Sequence, residues 1–444
     1  LVLKSVILRA GVFLLALISF FSSCTKPGKT NIHAKQSVYI DYSKGKYTLY
    51  RNGKPFIVKG GAGYTNLKKL KEVGGNTIRT WDTLNIGRIL NEAKDNGLAV
   101  IIQLPMPYND DMEAFYKKDN LVAAQYKAYK ALVNKYKNHE ALLSWCLGNE
   151  LAFPIKPNYN KFYKVFNALV DMIHHDDPNH PVTTTMNNFH RKDLFNIKHR
   201  TDIDFLSFNV FGGLRTLGAE LESFSWAWDG PFLIAEWGIE GPWPGRDQTA
   251  WGAYIESPSN KKAEQYLSTY KNYMPVKNPR YLGAMVFYWG QKQESTPTWF
   301  GLFDEKGNMS EGVNVMQYLW TGTEATQHAP SINYMLVDGK GAKDNIIYKP
   351  DSIVNARVFM LNDAGNKDLR FEWQIQPEDW FRLQHIHNLK PLKPLTDLIV
   401  STNGPSVTFR TPLVEGPYRV FVKVYNKNGY FAACNTPFYV VEDQ

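Results

Sequence analysis

LLSWCLGNEL, Leu142 to Leu151, is an apolar run closed by Gly148, Asn149 and Glu150. A short apolar run that ends on glycine and a polar pair reads as a buried parallel strand opening into a loop, and a carboxylate there sits at a rim, not in a core. The pattern recurs in PFLIAEWG, Pro231 to Gly238, where a second apolar run is interrupted by the single acid Glu236. An ionised carboxylate is costly to bury without a partner, so two acids that each end an apolar strand point to chemistry.

Outward from these two strands the chain alternates apolar runs with helical patterns. FIVKGG precedes residues 66–73, NTIRTW precedes 86–96, LAVIIQLP precedes 120–136 and LLSWCLGNE precedes 161–174. PVTTTMNN precedes 192–198, IDFLSFNV precedes 217–225, PFLIAEWG precedes 261–273 and LGAMVFYWG precedes 311–319. Eight such units in roughly 250 residues is the arithmetic of a closed (β/α)8 barrel, an α/β TIM barrel with its site at the carboxyl ends of the strands. An open doubly wound sheet is the competing arrangement, but no glycine-rich dinucleotide fingerprint follows the first strand. In a barrel the strand-end polar residues share one bowl: Arg79 and Trp81, Asn149 and Glu150, Asn187 and Asn188, Asn209, Glu236 and Trp289. The loop after the eighth strand carries Trp299 and Phe300, either as an apolar plug or as a stacking platform for a sugar ring.

Length and composition set the rest of the organisation. With 444 residues the chain is long for one domain. The barrel is expected over 38–322, with a hairpin before it turning at Asn52-Gly53. TGTEATQHAP, 321–330, reads as a linker, and residues 331–444 carry short alternating β segments that fit a small immunoglobulin-like sandwich with Trp373 in its core. At the other end Lys4 and Arg9, an apolar stretch and Ser22-Ser23-Cys24 read as an export signal over 1–24, followed by a tether over 25–37. The signal resembles the lipobox of bacterial lipoproteins, which would make Cys24 the lipidated residue and place the protein in the cell envelope, as a periplasmic or outer-membrane lipoprotein. Cys146 and Cys434 are then too few and too far apart for a disulfide framework. No metal-ligand motif appears, and His174-His175 reads as a solvated helix end. The +9 charge is spread without a dense basic block, so no nucleic-acid partner is expected. No cofactor is expected, membrane attachment is expected only through Cys24, and the chain is read as a monomer.

Two carboxylates across a cleft are what glycosidic cleavage requires, one to protonate the leaving oxygen and one to attack or to activate water. A separation of about 5 Å means retention of configuration, and roughly 6.5 to 9.5 Å means inversion. Asn149-Glu150 on strand four, Glu236 in AEWG on strand seven and GGNTIRTW at Gly74 to Trp81 together resemble glycoside hydrolase clan A, especially the barrel of family 2 and related enzymes that cleave β-glycans. The resemblance implies a retaining β-glycosidase, with Glu150 as general acid/base and Glu236 as nucleophile. It further implies that Asn149 meets the sugar 2-hydroxyl, that Arg79 keeps Glu236 ionised, and that Trp289 floors the subsite of the cleaved sugar. Trp81, Asn209 and Trp299 complete the substrate-binding set. Clan members carry a Tyr near the end of strand six that bonds the nucleophile; here Phe208 and Phe211 stand, leaving Tyr288 or Tyr254 for that role. The expected substrate is an oligosaccharide or polysaccharide of β-glucan or β-mannan type. A transglycosylase would use the same acids, and a surface glycan-binding protein would be a barrel that has lost turnover.

Overall fold

The computed structural model describes residues 36–361, 368–378 and 392–442. The expected leader with Cys24, and the tether up to residue 35, lie outside the described residues. Three short antiparallel strands come first, β1 (Val38–Ser43), β2 (Lys46–Arg51) and β3 (Lys54–Pro55). Asn52 and Gly53 turn with φ of 51° and 72°, and Lys44 and Gly45 do the same at 51° and 76°. Such two-residue turns match the twist of the strands they join. The sheet lies against the amino-terminal end of the barrel: Val38 N donates to Asn179 O at 3.1 Å and Tyr47 N to Pro279 O at 2.8 Å.

The barrel strands are β4 (Val58–Ala62), β5 (Thr77–Arg79), β6 (Ala99–Leu104), β7 (Leu142–Asn149), β8 (Val182–Asn187), β9 (Phe205–Asn209), β10 (Phe232–Trp237) and β11 (Tyr281–Phe287). They close in chain order, with β11 pairing to β4 and every pairing parallel. Helices cover the outside because a parallel crossover needs one and because each presents an apolar stripe. Ile86, Ile89, Leu90 and Ala93 on the helix Ile86–Asp95 are all buried at that spacing. The sequence reading missed a helix at Asn109–Tyr116, which buries Met112 and Tyr116.

Beyond the last barrel helix, Glu311–Thr321, two four-stranded sheets form the sandwich. One is β12 (Ile332–Val337), β14 (Ile353–Met360), β17 (Ser406–Arg410) and β16 (Ile399–Asn403); the other is β13 (Ile347–Tyr348), β19 (Phe431–Val440), β18 (Gly416–Tyr425) and β15 (Arg370–Pro377). All pairings are antiparallel except the two-residue β13, which runs parallel to β19. Trp373 is buried between the sheets, as expected, with Ile375, Val422 and Phe409 in the same core. The edge of the sandwich is bonded to the barrel: Met309 N donates to Gly429 O and Phe431 N to Met309 O, both at 2.9 Å. Cys146 and Cys434 are both free and buried.

Candidate active site

In a regular strand neighbouring side chains point to opposite faces, so Asn149 and Glu150 would be expected to diverge. They do not, because β7 loses register with β8 between Cys146 and Asn149 and the chain turns left-handed at Gly148 (φ 74°) and again at Glu150 (φ 53°). A non-glycine residue in that region costs about 1–3 kcal/mol, and such strain gathers at functional sites. Here the bond from Glu150 N to Thr185 O, 2.9 Å, holds the turn. Both side chains then meet Asn209, whose Nδ2 donates to Asn149 Oδ1 at 3.1 Å and to Glu150 Oε1 at 2.8 Å. Asn187 adds a weaker donor to Glu150 Oε2 at 3.4 Å, while the Asn188 side chain donates to Asn187 Oδ1 at 2.8 Å and stays exposed.

Arg79 is the hub, fully buried under the bowl. Its Nη1 donates to Glu236 Oε1 at 2.8 Å and Asn209 Oδ1 at 3.1 Å. Its Nη2 donates to Asn149 Oδ1 at 2.6 Å, Gln103 Oε1 at 2.9 Å and Thr185 Oγ1 at 3.2 Å. One guanidinium thereby ties β5 to β6 through β10, and a single chain of bonds links Glu150 through Asn209 and Arg79 to Glu236. Asn149 spends its oxygen on Arg79 and Asn209, which leaves its NH2 as the donor for a ligand.

Glu236 takes a second bond from Trp81 Nε1 at 2.9 Å, again on Oε1. Oε2 is left as the oxygen with no protein donor among the described residues. Neither Tyr288 nor Tyr254 hydrogen-bonds Glu236, so the indole supplies the donor that the sequence reading sought from a tyrosine. Tyr288 instead stacks on Trp81, with ring centres 5.6 Å apart and planes 24° apart.

Burial pushes both carboxyls up: Glu236 to about 7, against the opposing pull of Arg79 and with the added push of Glu150, and Glu150 with Asn209 opposing. Among the described residues the only cation in direct contact is Arg79, on Glu236, whereas the Glu150 carboxylate meets amide donors alone. That inventory favours the charged form of Glu236.

Two expected residues lie elsewhere. Trp289 is fully buried, with its ring centre 5.1 Å from that of Phe303 and 5.8 Å from that of Trp320. The chain leaves the sheet after Phe287, so strand alternation does not carry on to Trp289, and Gly61 on β4 gives the indole its room: a Cβ there would come within 2.6 Å of it. Trp299 is 3% exposed and donates to Glu240 O at 3.1 Å, which makes it part of a plug and not an open platform. The aromatic surface beside Glu236 is Trp81, Tyr288 and Phe287, the last edge-on to Trp81 at 6.0 Å. Sequence reasoning also missed Gln103 and Thr185, although a Gln inside the apolar run AVIIQL is the kind of exception that marks a polar pocket. It missed Lys292 and Glu294, an ion pair on the loop after β11, where the Lys292 ammonium stands 4.9 Å over the Phe287 ring. Among the described residues no group of three His, Cys, Asp or Glu could hold a metal ion.

Residues 81–298 match the family described as glycosyl hydrolases family 2, TIM barrel domain. No curated protein matches the sequence. Among solved structures, a β-glucuronidase from Bifidobacterium dentium in complex with coumarin-3-O-glucuronide has 15% identity and a TM-score of 0.52 over 64% of this chain and 49% of its own. A Bacteroides uniformis β-glucuronidase has 14% identity and a TM-score of 0.47 over 91% of this chain and 48% of its own. An endo-β-1,4-mannanase from Thermotoga petrophila has 15% identity and a TM-score of 0.44, covering 88% of this chain and 99% of its own. The chain spans about half the length of those glucuronidases, and likeness at this level of identity is one of fold.

Proposed function

We propose that this chain, whose residues 81–298 match the glycosyl hydrolases family 2 TIM barrel domain, is a glycosidase that cleaves a β-glycan by double displacement through Glu236 and Glu150. The observation that carries this reading is the division of partners: the cation and the indole N–H on Glu236 Oε1, and neutral amides on Glu150. In the first step Glu236 Oε2 attacks the anomeric carbon as the glycosidic bond breaks, and the Glu150 proton goes to the departing oxygen. In the second, Glu150 as carboxylate takes a proton from water, the water oxygen attacks the anomeric carbon, and the ester bond to Glu236 breaks. The first configuration is restored. Asn149 NH2 is placed to bond the sugar hydroxyl next to the reacting carbon, and the half-buried Trp81 and Tyr288 offer apolar faces to the ring.

β-Glucan or β-mannan is the substrate class we infer, and the cell envelope the location. The test is reducing-sugar release from soluble glucans, mannans and xylans, with products followed by NMR. Release of the β-anomer from one polymer supports the reading, and release of the α-anomer overturns the retaining mechanism. Products longer than the substrate would mean that a sugar competes with water as acceptor.

Trp81→Phe keeps the stacking surface and removes only the N–H on Glu236. Less stabilised as an anion, Glu236 ionises at higher pH, so the acid limb of the pH profile moves up. A lost hydrogen bond to a charged group predicts a fall in kcat/KM of about 10-fold. An unchanged acid limb in steady-state kinetics would refute the role.

A further inference from the structure

The loop after β11 carries Lys292 and Glu294 to the catalytic pair, and its other end is fastened to the sandwich. Glu256, 5% exposed, is the fastening point. It accepts from Thr296 Oγ1 at 2.5 Å and Thr298 Oγ1 at 2.8 Å, both on this loop. It also accepts from Lys262 Nζ, which donates in turn to Thr298 O at 2.6 Å, and from Asn435 Nδ2 of β19 at 2.6 Å. Asn435 Oδ1 is held by Arg419 Nη1 of β18 at 2.6 Å, and Arg419 Nη2 reaches back to Tyr254 O at 2.7 Å. Burial opposes the charge of Glu256, yet Lys262 and the hydroxyl donors hold its carboxyl below the usual range. Within the loop Glu294 N donates to Thr296 O at 3.1 Å, Thr296 N to Glu294 O at 2.7 Å and Gln291 Nε2 to Pro297 O at 3.2 Å, while the buried side-chain amide of Gln293 finds no partner among the described residues.

We propose that the C-terminal sandwich is a working part of the active site: Asn435, through Glu256, Thr296 and Thr298, is a positioning residue that fixes Lys292 over Phe287 beside Glu150 and Glu236. The inference rests on the catalytic assignment above. Glu236 is faced by Arg79 from β5, by Glu150 and the Cys146 thiol from β7, and by Lys292 from this loop, while Glu294 faces Glu150. Lys292 is the one cation among them that a loop movement would carry away. Its departure makes Glu236 harder to ionise, so the acid limb moves to higher pH.

The experiment compares Asn435→Ala, Lys292→Met and their combination in the full chain, with Thr298→Val as a variant that leaves the sandwich untouched. Each single change is expected to raise the acid limb and lower kcat/KM about 3- to 10-fold, and the double variant to go no further than Lys292→Met, as residues acting through one contact do. Hydrogen exchange of residues 290–299 should quicken in Asn435→Ala and Thr298→Val while strands β4 to β8 stay protected, a readout that needs no activity. Unchanged exchange in the loop, or shifts that add in the double variant, would overturn the inference. Retained activity in Glu236→Gln would instead overturn the catalytic assignment, so the two failures are distinct.

Discussion

Glu236→Gln is expected to lower kcat by at least about 10⁴-fold, because the amide keeps the shape of the carboxylate but cannot form the glycosyl ester. Glu150→Ala should behave differently with leaving group. For an alkyl or sugar leaving group the loss should be about 10²- to 10⁴-fold, the usual worth of a positioned acid. A dinitrophenyl glycoside needs no proton to depart, so its first step survives and the second becomes limiting, visible as a burst of phenolate. Azide, which needs no base, should then speed turnover and give the β-glycosyl azide from Glu150→Ala, whereas Glu236→Ala should give the α-azide. Product anomers read by NMR decide the matter. An α-azide from Glu150→Ala would reverse the two roles.

Arg79→Met should be the most damaging change to the fold. The guanidinium is buried and bonds acceptors on five strands, so its loss strips Glu236 of its cation and leaves the side-chain oxygens of Gln103 and Asn209 without a donor among the described residues. Removing one partner of a buried ion pair costs about 3–5 kcal/mol, which urea unfolding would detect directly. Arg79→Lys separates charge from geometry. An ammonium can neutralise Glu236 but cannot hold both asparagines with a planar fork, so the variant should fold and still lose about 100-fold or more in kcat/KM. Wild-type kinetics in Arg79→Lys would show that charge alone is needed.

The paired acids, their strands and the barrel were all legible in the sequence, because they rest on local facts. A parallel strand buried on both faces must be an unbroken apolar run, a crossover must be a helix, and an acid that ends such a run must face the mouth. The sandwich was legible for the same reason, from period-two alternation and turn residues. The barrel's closure then brought Arg79, Asn149, Asn209, Glu150 and Glu236 together as expected.

Tertiary structure decided what depends on distance between segments. Nothing local tells that Trp81 will reach Glu236, 155 positions away, or that the indole stands in for a tyrosine. Trp289 and Phe287 look equally suited to face a sugar until Gly61 on the first barrel strand opens a pocket that takes the tryptophan out of the bowl. Asn149 and Glu150 share a face only because a bulge and a left-handed turn break the alternation that sequence reading assumes. The bond from Asn435 to Glu256 spans 179 residues and two domains. Apolar periodicity is a property of each segment by itself, whereas a polar bond is set by where two segments end up, and that is fixed only when the whole chain has packed.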